Sequence, residues 1–198
     1  MGERRVRNAK VEGSIPFRST TCSYSHETRR LNLVFDCVLG EIMLPIGSRA
    51  PEFTLPDQED RPISLSTLLN RGPLILYFYP ADFTPGCTRE ACMLRDLHGD
   101  IRKVGLAVAG VSPQSPERHA EFREKYQLPF VLLSDVEKFV VKMYDVNGPL
   151  GLGVRRATYL IDQARQIRGA VLADFRISQH EDFIRRATML SGNARPVA

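Results

Sequence analysis

The 198-residue sequence contains no tryptophan, only four cysteines and only four histidines, and aromatic residues make up 8% of it. So few cysteines exclude a small secreted fold that is held together by disulfide bonds, and they favour a reducing compartment, the cytoplasm. The sequence also lacks an uninterrupted apolar run of the roughly 20 residues that a membrane-spanning helix needs. We therefore expect a cytoplasmic protein with no membrane association.

An excess of charge of one sign is also missing. The formal net charge is +4, and residues 1–42 hold seven basic and five acidic residues, which leaves twenty basic against eighteen acidic residues in the rest. This charge is not gathered into a phosphate-binding stripe, and no aromatic residues are interleaved with basic ones as a platform for bases. The pattern therefore argues against a nucleic-acid partner.

The first 42 residues differ in composition from the rest of the chain. They are rich in Arg, Ser and Thr and have almost no apolar periodicity, which predicts a disordered extension. Alternatively, they are a wrongly assigned upstream start, because the letters GSIP at residues 13–16 can be encoded by GGT TCG ATT CCN, which resembles the T-arm of a transfer RNA gene. On either account Cys22 and Cys37 are bystanders, and one domain spans residues 43–198.

One stretch near the middle of that domain organises the remaining predictions. Residues 74–79 form a short apolar run that is typical of a buried strand, and Pro80 and Pro85 bound a loop after it. Apolar residues at helical spacing resume directly after this loop, so Cys87 falls in the first turn of a helix. Unpaired backbone N–H groups and the positive end of the helix dipole favour a thiolate there.

A second cysteine, Cys92, follows Cys87 by five residues. On an intact helix their Cα atoms would lie about 8.7 Å apart, whereas a disulfide tolerates at most about 7 Å. A bond between them would require the first helical turn to unwind, as in a peroxidase whose oxidised cysteine is captured by a second one. The alternatives are a small buried core thiol and a zinc site; zinc needs four clustered ligands, and His98 is the only histidine close in sequence.

The motif Pro80-x-x-x-Thr84-x-x-Cys87 resembles the active-site signature of the peroxiredoxins. The longer string TPGCTREAC, residues 84–92, is similar to the peroxiredoxin Q group of this AhpC/TSA-like family, also called bacterioferritin comigratory protein. The resemblance extends over about residues 44–190. It implies a thioredoxin-like fold.

The resemblance also implies a role for individual residues. Cys87 would be the peroxidatic cysteine, and Cys92 the resolving cysteine that forms the redox-active disulfide with it. Pro80 and Thr84 would complete the pocket, with Pro80 keeping water from the flank of the thiolate. Glu90 would be the partner of a catalytic arginine.

The family's arginine lies at the start of a later strand, which corresponds here to residues 155–162, with the sequence RRATYLID. Alignment on the last three of these letters selects Arg156. The adjacent Arg155 remains the alternative, because a shift of one residue would exchange the two.

The order of predicted elements indicates an α/β fold with a central mixed sheet flanked by helices and an N-terminal hairpin. A loop rich in glycine and proline, residues 147–153, is expected to be mobile. The predicted strands are 53–55 and 63–65 in the hairpin, then 74–79, 106–112, 130–133, 157–161 and 167–171. The predicted helices are a single turn near 66–69, the helix after Cys87, a segment through 139–144, and the helices 116–126 and 178–190.

Together these patterns predict a thiol-dependent peroxidase that reduces hydrogen peroxide and organic hydroperoxides and serves in antioxidant defence. The resemblance implies recycling by thioredoxin or a similar dithiol, no cofactor or metal, and a monomer. One rival is a thiol-disulfide oxidoreductase, although such enzymes generally use Cys-x-x-Cys. Another is a non-enzymatic redox sensor or holdase, which would react with peroxide without turnover.

Overall fold

The computed structural model describes residues 43–148 and 153–193, with side chains up to residue 191. The extension of residues 1–42 and the centre of the predicted mobile loop, residues 149–152, lie outside the described residues. Within the described ranges no helix is both long enough and apolar enough to cross a membrane.

A five-stranded mixed sheet forms the centre of the fold, and a two-stranded antiparallel hairpin precedes it in the chain. The strands are β1 (Thr54–Pro56), β2 (Pro62–Ser64), β3 (Leu74–Phe78), β4 (Ala107–Ser112), β5 (Val131–Ser134), β6 (Ala157–Ile161) and β7 (Ile167–Leu172). The helices are α1 (Leu65–Leu69), α2 (Pro85–Lys103), α3 (Pro116–Tyr126), α4 (Phe139–Met143) and α5 (Ile177–Asn193). The predicted thioredoxin-like α/β fold with its N-terminal hairpin is confirmed.

The sheet has the strand order β5-β4-β3-β6-β7, which puts β3 at its centre. β3 pairs parallel with β4 and antiparallel with β6, where Phe78 lies opposite Ala157. All five residues of β3 and all five of β6 are buried, because layers of side chains cover both faces of the sheet. Burial on both faces explains why the sequences of β3 and β6 are mostly apolar rather than alternating between apolar and polar residues.

Alternate residues of β3 point into two separate cores. Leu74, Leu76 and Phe78 pack in one cluster, whereas Ile75 and Tyr77 pack in the other. The second cluster includes Cys87 and the apolar face of α2, together with the apolar face of α5. The cysteine therefore belongs to the layer that α2 and α5 form on one face of the sheet.

The helix α2 begins where the sequence predicts. Pro85 occupies its first position, where a missing N–H costs no hydrogen bond, and Ala91, Leu94 and Ile101 form its buried face. Its start follows the carboxyl end of β3 after a short loop. The remaining predicted helices and strands are confirmed within a few residues at each end.

Candidate active site

The loop between β3 and α2 is anchored through a buried carboxylate, Asp82. The hydroxyl of Tyr79 donates to its Oδ1 atom at 2.8 Å, and Nδ1 of His119 lies 2.8 Å from Oδ2. Nε2 of the same histidine lies 3.2 Å from the carbonyl oxygen of Leu133. Both ring nitrogens therefore lie within hydrogen-bond distance of buried oxygen atoms. Helix α3, which carries His119, thus ties this loop to the sheet.

The next residue of the loop, Phe83, adopts a left-handed backbone conformation with φ of 62°. This conformation is uncommon for a bulky side chain and persists only where its surroundings hold it. The ring packs edge-on against Phe122, with centroids 5.1 Å apart, and the guanidinium of Arg118 lies 4.2 Å from its centroid. Contacts with α3 therefore fix the turn that leads the chain into the cysteine helix.

Thr84 and Pro80, two of the residues predicted for the site, lie in the loop between β3 and α2. Thr84 is the residue immediately before α2, and its hydroxyl donates to the carbonyl oxygen of Ala81 at 3.1 Å rather than to the helix. Both Thr84 and Pro80 are exposed. Cys87 is the third residue of α2, in its first turn, as predicted.

The centre of the site is a buried row of three polar side chains. The thiol of Cys87 is 2% exposed, and Nη2 of Arg156 donates to its sulfur at 3.3 Å. Nη1 of the same guanidinium donates to Oε2 of the fully buried Glu90, and its Nε donates to the backbone oxygen of Asp174 at 3.3 Å. Bonds from all three nitrogens fix the orientation of the guanidinium.

Burial and the neighbouring charges shift the pKa values of Glu90 and Arg156 in opposite directions. Burial raises the pKa of Glu90 to about 7, although the Arg156 charge opposes the shift. Burial also disfavours the charge on Arg156, but Glu90 and Cys87 outweigh it and raise the pKa of Arg156 above its ordinary value. At neutral pH the guanidinium is therefore a permanent cation beside the sulfur, whereas Glu90 is close to its own titration point.

The neighbouring Arg155 does not reach the sulfur. Its Nη2 and Nε donate to Oδ2 of Asp174 at 2.9 and 3.1 Å, while Oδ1 of Asp174 accepts the backbone N–H of Arg156 at 2.9 Å. Both arginines lie in the segment just before β6, and of the two it is Arg156 that contacts Cys87 and Glu90 on α2. Asp174, which sequence reasoning missed, holds both of them.

Cys92 lies in the same unbroken helix as Cys87, and both thiols are free. Five helical residues separate their Cα atoms by about 8.7 Å, which is beyond the reach of a disulfide. Cys92 is partly buried, and Nη1 of Arg95, on the next turn of the helix, donates to the backbone oxygen of Tyr126 at 3.0 Å. The structure therefore shows the reduced arrangement, in which the two sulfurs are held apart.

Three features of this site carry no signal in the sequence. His119, His180 and Asp82 are ordinary polar residues in their local segments, and only the fold makes them buried partners of the loop and of Glu90. As to metal binding, no group of three or more histidine, cysteine or acidic side chains is placed to hold an ion in the part of the chain that the structure describes.

Comparison with known proteins gives the family. Residues 46–170 match the AhpC/TSA family. The chain belongs to this family. It is 44% identical over 137 residues to the chloroplastic peroxiredoxin Q of Sedum lineare, an alignment that covers 69% of this chain and 73% of the relative.

Solved structures agree with this assignment. The fold is similar to peroxidoxin BcpB of Mycobacterium tuberculosis, with a TM-score of 0.69, 36% identity and coverage of 73% of this chain and 96% of the other. It is also similar to the bacterioferritin comigratory protein of Xanthomonas campestris, described for its alkyl peroxide reduction activity, with a TM-score of 0.64, 26% identity and coverage of 70% and 90%. The predicted resemblance to the peroxiredoxin Q group is confirmed, and the protein is a thiol-dependent peroxidase.

Proposed function

We propose that Cys87 is the peroxidatic cysteine of this enzyme and that it reduces hydrogen peroxide and organic hydroperoxides. The observation that carries the proposal is the hydrogen bond of 3.3 Å from Arg156 to a thiol that is buried in the first turn of α2. A fixed cation and the helix N-terminus both stabilise a thiolate over a thiol. The alkyl peroxide reduction described for the Xanthomonas campestris relative supports the inclusion of organic hydroperoxides.

In the first step the thiolate of Cys87 attacks one peroxide oxygen. A sulfur–oxygen bond forms, the oxygen–oxygen bond breaks, and the departing oxygen takes a proton and leaves as an alcohol or water. The Arg156 charge and the free N–H groups of the helix turn stabilise the negative charge that develops on the departing oxygen. The Thr84 hydroxyl donates to Ala81, so its oxygen remains able to accept a hydrogen bond from the peroxide and orient it.

In the second step the sulfur of Cys92 attacks the sulfenic acid on Cys87, water leaves, and a disulfide forms. This step requires the first turns of α2 to unwind, because an intact helix keeps the two Cα atoms about 8.7 Å apart. Unwinding gives up the burial of Cys87 and its bond to Arg156. Thioredoxin or a similar dithiol then reduces the disulfide by thiol–disulfide exchange and is itself oxidised.

We further propose that the enzyme works as a monomer in the cytoplasm. Both sulfurs lie on one helix, and the arginine comes from the same chain, so the cycle needs nothing from a second subunit. A reducing compartment supplies the dithiol that returns Cys87 to its thiol. Light scattering coupled to size-exclusion chromatography measures the mass of the protein directly. A stable dimer at the concentration used in the activity assay would contradict the proposed monomer.

The test follows peroxide consumption by stopped flow, with thioredoxin as the reductant. Cys87→Ser should abolish consumption, whereas Cys92→Ser should consume one equivalent and then stop. Cys22→Ser and Cys37→Ser are the matched controls and should turn over normally. Turnover by Cys87→Ser would eliminate the proposed nucleophile, and slow stoichiometric oxidation of the wild type would favour a redox sensor instead.

A further inference from the structure

A cleft near the far end of α2 from Cys87 takes no part in the peroxidase mechanism. Its volume is about 520 Å³, and small-molecule sites typically measure about 300–1,000 Å³. The last turns of α2 line it, together with the starts of β4 and β5. An α-helix rises about 1.5 Å per residue, so Arg102 of the cleft lies about 22 Å along α2 from Cys87. The cleft is therefore separate from the active site.

The walls of this cleft carry an excess of positive charge. Four arginines line it, against the two carboxylates of Asp57 and Glu59. Nη2 of Arg61 lies 2.8 Å from Oδ2 of Asp57, and its Nη1 lies 2.9 Å from Oε2 of Glu59. Nη1 of Arg123 lies 4.0 Å from the other oxygen of Glu59, and its Nε donates to the backbone oxygen of Leu128 at 3.1 Å. Both acidic groups are therefore paired with two of the four arginines.

The other two arginines, Arg71 and Arg102, are exposed, and their guanidinium groups have no hydrogen bond or ion pair among the residues that the structure describes. A close backbone contact holds their two segments together. A Cβ atom at Gly72, which has a φ of 131°, would lie 2.1 Å from the carbonyl oxygen of Gly105, so only glycine fits there. The N–H of Gly105 in turn donates to the carbonyl oxygen of Arg102 at 3.0 Å. The fold thus brings two unpaired cations to one cleft.

An aromatic ring lines the cleft beside these cations. His98 precedes Arg102 by one helical turn, so the two residues lie on the same face of α2. The ring of His98 is half-buried and packs near Phe130 on the floor of the cleft, with centroids 6.1 Å apart. Burial and the charge of Arg102 lower the pKa of His98, so the ring is neutral at pH 7. A neutral, planar ring of this kind is a surface on which a nucleic-acid base can stack.

We propose that this cleft binds a nucleoside diphosphate, with its phosphate groups on Arg71 and Arg102 and its base against the ring of His98. Guanidinium groups match phosphate oxygens with pairs of parallel hydrogen bonds. Because neither arginine has another partner among the described residues, a diphosphate can bind both without breaking an existing ion pair. The site does not depend on the role proposed for Cys87.

Isothermal titration calorimetry of the full chain with ADP, without divalent cations and at about 0.1 M salt, tests the site. We expect one-to-one binding, which Arg71→Met and Arg102→Met should each weaken about tenfold through the loss of charged hydrogen bonds. Lys103→Met is the matched control: it removes the same charge from the next residue of α2, but Lys103 pairs with Asp100 and does not line the cleft. No saturable binding up to about 1 mM ADP, or equal weakening by Lys103→Met, would overturn the proposal.

Inorganic pyrophosphate, used as a second probe, tests the contact with the base. It should bind about tenfold more weakly than ADP, because it lacks the stacking on His98. His98→Ala should weaken the binding of ADP by the same factor and leave that of pyrophosphate unchanged. Equal affinities for the two probes would overturn the assignment of a nucleoside. Arg71→Met should consume peroxide at the wild-type rate and Cys87→Ser should bind ADP normally, so that a failure of the peroxidase mechanism and a failure of this site are distinguishable.

Discussion

Replacement of Arg156 by methionine tests the cluster around the sulfur most directly, because methionine is similar in length and carries no charge. The guanidinium is 5% exposed and lies 3.3 Å from the sulfur of Cys87. At this distance two unit charges attract by about 5 kcal/mol if the effective dielectric constant is roughly 20. Part of that attraction already stabilises the thiolate before the reaction. The net loss in the transition state is therefore smaller, about 2.7–4 kcal/mol, which is typical for the loss of one donor to a developing anion.

A loss of this size corresponds to a rate constant about 10²–10³ times lower for the oxidation of Cys87 by hydrogen peroxide. Stopped-flow measurement of single-turnover oxidation gives this constant without any contribution from the recycling steps. Arg155→Met is the matched control, because Arg155 is the adjacent residue and binds Asp174 instead of the sulfur. We expect it to stay within about threefold of the wild type, since a partly exposed ion pair contributes little.

Stability measurements separate the effect on rate from an effect on folding. Arg156→Met leaves Glu90 buried without its cation, but a carboxyl with a pKa of about 7 can become neutral by taking up a proton. We therefore expect the free energy of unfolding to fall by about 1–3 kcal/mol, less than for a buried charge that cannot neutralise. A folded Arg156→Met enzyme with normal rate, or an Arg155→Met enzyme that is slowed equally, would refute this account of the site.

Three further predictions follow from other contacts. The pKa of Glu90 is raised from 4.5 to about 7 in the folded protein, so its contribution to stability is complete below pH 4.5 and is lost as pH rises through 7. Glu90→Gln should therefore make the melting temperature less dependent on pH over this interval. A pH dependence equal to that of the wild type would contradict the raised pKa of Glu90. His119→Ala removes the ring nitrogen that lies 2.8 Å from the buried carboxylate of Asp82, and it should lower the free energy of unfolding by about 1–3 kcal/mol in urea titrations. An unchanged free energy of unfolding would contradict the role given to this contact. Oxidation to the disulfide between Cys87 and Cys92 should lower the helical circular dichroism signal by the amount that the first turns of α2 contribute. A signal equal to that of the reduced protein would exclude unwinding.

Local sequence determined the elements of the fold and the position of the nucleophile. The apolar run of β3, the two prolines after it and the helical spacing after Cys87 act over a few residues, and each fixes its backbone with little help from distant parts. For this reason the strand, the loop and the cysteine in the first helical turn could all be predicted. The spacing between Cys87 and Cys92 likewise follows from helix geometry alone.

The family resemblance names Arg156 and Glu90, but only the tertiary structure brings them to the sulfur. Arg156 is 69 residues from Cys87 in the chain, and it arrives because β6 runs antiparallel to β3 with Ala157 opposite Phe78, so that the start of one strand meets the end of the other. In the segment just before that strand, Arg156 contacts Cys87 and Glu90 on α2, whereas Arg155 binds Asp174. Register and facing are properties of strand pairing, which a linear sequence does not contain. The same reason explains why His119 and His180, unremarkable in the sequence, lie buried against Asp82 and Glu90.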